Sequence, residues 1–256
     1  MQQEFKIVML VSNGASSKIV YHALKNNFNI VNIIVEESVS KKKLIKNRIK
    51  RLGYMKVFGQ VLFILFNKVF YYYSQSRIME IKHAHALNDG EIVDPGKINI
   101  ESINDDEVIT ILQNIQPDAV VVNGTRIISK RVIESIKAPF LNTHAGITPA
   151  YRGVHGGYWA LVQDDMAHCG VTIHIVDSGI DTGNIVYQDT IEICKQDSFN
   201  TYHLLQLAKA IPLLKQALMD IGNDALKIKT ADLPSKLWYH PTLLVYIYNY
   251  IGKGIK

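Results

Sequence analysis

The 256-residue sequence predicts an α/β protein in which helices flank a mostly parallel, twisted sheet in a Rossmann-like arrangement. Short apolar runs rich in β-branched residues recur along the chain, and segments with helical periodicity separate them. Several of these runs end in glycine or small polar residues, which favour turns. Hydrophobic residues make up 48% and charged residues 20%, which is a globular composition. One main domain with a modest appendage therefore fits this length.

Residues 6–37 predict the first part of the sheet. Residues 6–11 (KIVMLV) form a strand-like run, and SNGASS separates it from a helical pattern through Val20, Ala23 and Leu24. Residues 29–37 form a second run of the buried type. Strand, turn, helix and strand in this order indicate a parallel α/β unit.

An insertion follows over about residues 41–75. Residues 41–56 hold eight basic residues and no acid, and residues 57–73 are mostly apolar. That apolar stretch is shorter than a bilayer span, and Gln60 and Lys68 interrupt it, so we do not expect a transmembrane helix. We expect a helical hairpin that covers the sheet or forms a homodimer contact, or a helix that makes a peripheral membrane contact through residues 41–73. The basic run is either a solvated helix face or a surface that attracts phosphates, nucleic acid or anionic lipid.

The alternation of strands and helices resumes after the insertion. Residues 117–124 predict a strand, residues 129–136 a helix, and a further strand is expected to end at Asn142. Residues 169–177 and 184–193 alternate enough to be late strands, antiparallel and partly exposed.

The C-terminal part is expected to be an extension. A long helix is predicted over residues 200–221, and the aromatic-rich residues 237–256 are expected to dock on the body or on a second subunit. We therefore divide the chain into a main domain, residues 1–193, and a C-terminal extension, residues 194–256.

Composition and motifs also limit which cellular compartment and which kinds of ligand we expect. Cys169 and Cys194 are the only cysteines, too few for a disulfide framework, so we expect a reduced, cytoplasmic setting. Glu4 and Lys6 interrupt any signal-peptide pattern. No His-x-x-x-His or Cys-x-x-Cys spacing occurs, so we expect no metal site. The sequence contains neither a Gly-x-Gly-x-x-Gly motif nor a P-loop, so it gives no indication of a dinucleotide or ATP site.

Three polar residues near the late strands carry the candidate chemistry. Asn142 and His144 lie two apart and should project together from a strand end. Asp181 lies in a loop that Gly179 and Gly183 bracket. An amide can hydrogen-bond a developing oxyanion, an imidazole can stabilise it or relay a proton, and a carboxylate can orient the imidazole and help deprotonate an amine. No serine or cysteine lies in a recognisable nucleophile elbow, which favours direct transfer.

The stretches NTHAGITPAYRG, from Asn142, and VDSGIDTGNI, from Val176, resemble the formyltransferase family that uses 10-formyltetrahydrofolate. The resemblance covers residues 117–193 well and residues 6–35 loosely. It implies the formyltransferase fold, with residues 1–193 as the catalytic domain. It also implies that Asn142, His144 and Asp181 are catalytic. The usual Pro-Ser after the Asn-x-His motif is replaced here by Ala145-Gly146.

The resemblance further implies where 10-formyltetrahydrofolate, the formyl donor, binds. The family's pterin-binding loop matches residues 123–129, which makes Arg126, Ile127 and Ile128 candidates for the donor site. The aspartate loop should form the opposite wall, through Asp177 and Gly179.

The acceptor is expected to be a primary amine on an amino sugar. We expect a nucleotide-linked amino-deoxysugar for surface polysaccharide or lipopolysaccharide synthesis, bound with no nucleic-acid partner. Formylation of glycinamide ribonucleotide or methionyl-tRNA, and hydrolysis of the formyl donor, are the alternatives. Candidate acceptor contacts are a loop that could cradle phosphate and a segment after the Asn-x-His motif: Ser12, Asn13, Gly14, Tyr151, Arg152 and Tyr158.

Overall fold

The computed structural model describes residues 5–256 and contains a seven-stranded sheet of order β3-β2-β1-β4-β5-β7-β8. A separate two-stranded sheet pairs β6 with β9. The strands are β1 (Lys6–Ser12), β2 (Asn29–Glu36), β3 (Lys97–Ile100), β4 (Ala119–Asn123), β5 (Phe140–His144), β6 (Arg152–Gly153), β7 (Gly170–Ile175), β8 (Ile185–Thr190) and β9 (Leu237–Trp238). The helices are α1 (Ala15–Leu24), α2 (Lys41–Leu52), α3 (Tyr54–Tyr73), α4 (Gln75–Ala84), α5 (Asp106–Ile115), α6 (Lys130–Ile133), α7 (Gly156–Val162), α8 (Tyr202–Gly222) and α9 (Leu243–Lys253).

The first five strands in spatial order, β3 to β5, run parallel, and β7 and β8 add an antiparallel edge. This confirms the predicted fold class, a mostly parallel sheet with flanking helices. It also confirms the antiparallel direction of the late strands. β7 is more buried than expected, because α8 packs on it.

Strand β1 shows why the sheet needs helices on both faces. Successive side chains of a strand point to opposite faces. Ile7 and Met9 accordingly lie in one apolar core, with residues of α1 and α8, whereas Val8 and Leu10 lie in another, with residues of α5 and α6. An apolar run without alternation is thus buried on both sides, as parallel strands usually are.

Several boundaries differ from the sequence predictions. The insertion predicted over residues 41–75 forms two packed helices, α2 and α3, and a third helix, α4, follows it from Gln75. The helix predicted over residues 129–136 is the single turn α6, which Ser129 caps through the N–H of Val132. Strand β5 extends past Asn142 to His144, because β7 continues the ladder where the pairing with β4 has ended.

The C-terminal tail docks on the body of its own chain. The β9 strand pairs in parallel with β6, and α9 packs against α3, where the rings of Phe63 and Tyr246 lie 4.9 Å apart. The Nδ2 amide of Asn249 donates to the hydroxyl of the buried Tyr158. The insertion and the tail therefore form one helical layer beside the sheet.

None of the helices within residues 5–256 is long and apolar enough to cross a membrane.

Candidate active site

The site forms where β5, β7 and the β7–β8 loop meet. Asn142 and His174 face each other in the antiparallel register of β5 and β7, and His144 lies two residues further along β5. The loop carries Asp181 back across these strands, with the backbone of Asp181 at a positive φ of 50°. The structure thus brings Asn142, His144 and Asp181 together, and it adds His174.

The Asp181 carboxylate lies between two histidines. Its Oδ2 is 3.4 Å from Nδ1 of His144, and its Oδ1 is 3.6 Å from Nε2 of His174. The backbone N–H of Gly153 donates to Oδ2 over 2.9 Å. Burial opposes ionisation, but the Gly153 N–H and the positive charge that either histidine carries when protonated outweigh it and hold the pKa of Asp181 at about 2. The group is therefore an anion at neutral pH.

His144 is held by its other ring nitrogen. Its Nε2 lies 2.7 Å from the carbonyl oxygen of Tyr151, so Nε2 carries the proton and donates. Burial lowers the pKa of His144 below its ordinary value, although Asp181 and the Tyr151 carbonyl favour the charged form. The resting imidazole is neutral, and its Nδ1 lone pair can accept a proton beside the Asp181 carboxylate.

His174 orients Asn142. The Nδ1–H of His174 donates to the carbonyl of Ile175 over 3.0 Å, which leaves Nε2 as an acceptor. The amide Nδ2 of Asn142 lies 3.1 Å from that Nε2 and donates to it. The second N–H of this amide remains to donate to an oxygen in the cleft. An amide donor, a neutral imidazole and an ionised carboxylate so converge on one point.

A cleft of about 350 Å³ adjoins these groups, and all the residues proposed for the formyl donor line it. Arg126 is tethered, because its Nε lies 2.6 Å from the Oε1 of the buried Glu36. Ile127 is half exposed, whereas Ile128 is buried in the core behind the cleft. Asp177 accepts from the N–H of Gly179 and fixes the opposite wall. Apolar walls with backbone groups and a few fixed polar groups suit a flat, polar-edged ring such as a pterin.

The residues proposed for the acceptor are placed differently. Tyr158 is 1% exposed and packs in the core, so it does not face a ligand. Tyr151 is also buried, and its hydroxyl donates to Asp165. Arg152 donates to the carbonyl of Ile180 and so supports the Asp181 loop.

The loop of Ser12, Asn13 and Gly14 is closed on itself. The N–H of Gly14 donates to Oγ of Ser12, so this loop offers fewer free donors to a phosphate than expected. Ser16, the second residue of α1, lines instead a cavity of about 360 Å³ that His144 also lines.

Sequence reasoning missed two supports of the site. Glu36, at the end of β2, binds both the backbone and the side chain of Arg126. A charged residue at the end of an apolar strand was the available signal. The bond from Gly153 to Asp181 depends on pairing between β6 and β9. No local pattern predicts a pairing between residues more than eighty positions apart.

The fold is thus a mostly parallel α/β sheet, and its site brings an amide, imidazoles and a carboxylate together beside a cleft. The chain belongs to the formyl transferase family, whose model matches residues 5–210.

Three known formyltransferases with different named functions are similar to the chain. A curated methionyl-tRNA formyltransferase from Finegoldia magna is 32% identical over 124 residues, which are 48% of this chain and 40% of that protein. The chain thus spans less than half the length of this relative. A phosphoribosylglycinamide formyltransferase structure from Anaplasma phagocytophilum superposes with a TM-score of 0.58 at 15% identity, covering 92% of this chain and 98% of that one. An N-formyltransferase from Helicobacter canadensis, in complex with folinic acid and dTDP-3-aminofucose, has a TM-score of 0.51 at 16% identity, covering 90% of this chain and 70% of that one. Both structures support the fold.

Proposed function

We propose that this chain transfers the formyl group of 10-formyltetrahydrofolate to the primary amine of an amino sugar carried on a nucleoside diphosphate. The product would serve surface polysaccharide synthesis. Family membership and the convergence of Asn142, His144 and Asp181 support formyl transfer. The acceptor class rests on one observation, a pocket beside Asp181 that combines arginines with aromatic rings.

That pocket has a volume of about 300 Å³ and shares Gly153, Val154 and Ile180 with the donor cleft. Its remaining lining comes from α2, α3 and the tail: Leu44, Asn47, Arg48, Arg51, Leu52, Gln60, Leu237, Trp238, Tyr239 and His240. The lining includes two arginines and no acid. An arginine pair suits a diphosphate, and aromatic and aliphatic walls suit a nucleobase. A sugar between the diphosphate and Asp181 would place its amine at the donor cleft.

We propose a role for each reacting group. Asn142 donates its free amide N–H to the formyl oxygen as the amine attacks the formyl carbon and a C–N bond forms. Asp181, alone or through water, draws off the proton of the amine, and His144 shares it at Nδ1. The tetrahedral intermediate then loses tetrahydrofolate as the C–N bond to the donor breaks, and the proton returns to that nitrogen.

The test is incubation with 10-formyltetrahydrofolate and a panel of amines, with product masses measured. The panel holds nucleotide-linked 3-amino and 4-amino deoxysugars, glycinamide ribonucleotide, methionyl-tRNA and a sample without amine. We expect an increase of one formyl group on an amino sugar only. Reaction of glycinamide ribonucleotide or tRNA alone would overturn the acceptor class and leave formyl transfer standing. Release of formate without any amine would assign a hydrolase.

A further inference from the structure

The helical layer exposes a large apolar surface. Along α3, Tyr54, Phe58, Leu65, Val69 and Tyr72 are between 53% and 76% exposed. Their spacings of four, seven, four and three place them on one face of the helix. The opposite face of α3 already packs in the core through Val57, Gln60 and Phe63. The outward stripe is therefore not needed to hold α3 in place.

Helix α9 continues this surface. Leu244, Tyr248 and Ile251 are 80%, 73% and 77% exposed and also fall on one helix face. The two helices are packed together, since a Cβ built at Gly59 of α3 would lie 2.9 Å from the side chain of Thr242. We call the exposed residues of α3 and α9 the apolar face. Apolar surface of this extent usually marks an interaction site.

The charges beside the apolar face restrict its partner. Helix α2 leads into α3 through Gly53 and packs against it, and it carries seven lysines and arginines without an acid. No residue of α2 is buried. Neither α3 nor α9 contains an aspartate or glutamate. A second copy of this face would bring only positive charges, whereas an anionic partner would match it.

The aromatic residues narrow the partner further. Tyrosines cluster at the end of α3 and along α9, at Tyr71, Tyr72, Tyr73, Tyr248 and Tyr250, all at least 41% exposed. Tyrosine has an apolar ring and a polar tip, which suits the level of lipid head groups. An exposed apolar stripe, a tyrosine cluster and a basic helix are the features of a helix that lies on an anionic membrane.

We propose that the apolar face and α2 dock this protein on an anionic phospholipid bilayer. The helices lie on the bilayer and do not cross it. Arg48 and Arg51 of the same helix α2 line the pocket beside Asp181, so docking brings that pocket close to the lipid surface. This inference does not rest on the proposed acceptor, because it concerns lipid binding alone.

The experiment is sedimentation of the purified chain with vesicles of phosphatidylcholine, with or without phosphatidylglycerol. We expect binding only to the anionic vesicles, weakened by salt. The triple variant Lys41→Glu, Lys42→Glu and Lys43→Glu should reduce the vesicle-bound partition coefficient at least about ten-fold, since each basic residue near the surface contributes roughly five-fold. The matched control reverses three exposed lysines elsewhere, at Lys137, Lys195 and Lys227, and should bind nearly as the wild type does.

A second pair of variants tests the apolar component. Leu65→Ser with Tyr72→Ser should weaken binding several-fold, whereas Val93→Ser, at an 87% exposed site outside the face, should not. Melting temperatures of all variants would show whether they fold. Equal binding to neutral and anionic vesicles, no binding at all, or unchanged binding of the folded lysine variant would overturn the proposal. A wild-type dimer that Leu65→Ser with Tyr72→Ser dissociates would assign the face to a second copy instead. Formyl transfer measured without vesicles reports on the proposed function separately.

Discussion

The two walls of the site are built in different ways. The inner wall consists of the loop after β4, residues 124–128, the end of β5, residues 142–144, and the Asp181 loop, residues 177–181. The outer wall consists of α2, α3 and residues 237–240 of the tail. Short segments that follow sheet strands make the inner wall, whereas the outer wall needs the chain to return from more than eighty residues away. We therefore propose that the inner wall carries out the formyl transfer, whereas the outer wall determines which acceptor binds.

The walls are mechanically connected at Gly153. Its N–H donates to Asp181, while its neighbour Val154 donates to the carbonyl of Trp238 in β9. Trp238 itself stacks on Tyr151 and Trp159. The outer wall therefore helps to position the carboxylate of the inner wall.

The largest effect is expected from the inner wall, at Asp181. Asp181→Asn keeps the size of the side chain but removes the charge that favours a protonated His144. Formyl transfer should fall about 10²- to 10⁴-fold, with donor affinity nearly unchanged, as measured by steady-state kinetics and donor titration. Asp232→Asn is the matched control, because this exposed carboxylate lies outside the lining of both pockets. Turnover near that of the wild type in Asp181→Asn would remove this residue from the mechanism.

The packing around His144 gives the second test. A Cβ at Gly146 would lie 2.4 Å from the carbonyl oxygen of Tyr151 and 2.8 Å from Nε2 of His144. Gly146→Ala should therefore displace the bond that holds the imidazole, lowering kcat roughly 100-fold with a smaller change in KM. Gly252→Ala is the control, since nothing lies within 4 Å of its Cβ position. A normal kcat in Gly146→Ala would show that the Tyr151 bond does not position His144.

Sequence reasoning succeeded where structure is local. The strands β1, β2, β4 and β5 follow from apolar runs, and motif residues at their ends indicated the inner wall. It failed where burial depends on remote partners. Tyr158 lies in a polar-looking segment, yet it is buried because α9 returns to cover it. The family has serine at the position of Gly146. A Cβ at Gly146 would lie 3.2 Å from the Cα of Gly156, so the close approach of Gly156 explains the glycine at this position.

The third prediction separates the walls kinetically. Arg48→Ala with Arg51→Ala removes the two cations of the pocket and leaves the inner wall intact. The KM for a nucleotide-linked amino sugar should rise about ten-fold or more, because charge-assisted bonds to phosphate contribute roughly 1.5–3 kcal/mol each. The KM for the formyl donor should not change. Lys42→Ala with Lys43→Ala, on the same helix but outside the pocket lining, is the matched control. An unchanged acceptor KM would place the diphosphate elsewhere.

The free energy of unfolding should also depend on pH, and part of this dependence originates in the outer wall. Nε2 of His155 lies 2.8 Å from Nδ1 of His240, which joins α7 to the tail. Burial and the charge of Arg48 lower the pKa of His240 to about 4, and burial lowers that of His155 well below its ordinary value.

A histidine with a depressed pKa binds fewer protons in the folded state than in the unfolded state. Its contribution to stability is therefore complete above about pH 6.5 and is lost as the pH falls toward 4. Each such histidine contributes about 2 kcal/mol to this loss, so the free energy of unfolding should drop by at least about 2 kcal/mol between pH 7.5 and pH 5, as chemical denaturation at both values would measure. In His240→Asn, whose amide can replace Nδ1 without titrating, the drop should be smaller. An equal drop in the variant would assign the pH dependence to the other histidines whose pKa burial lowers, which are His144, His155 and His203.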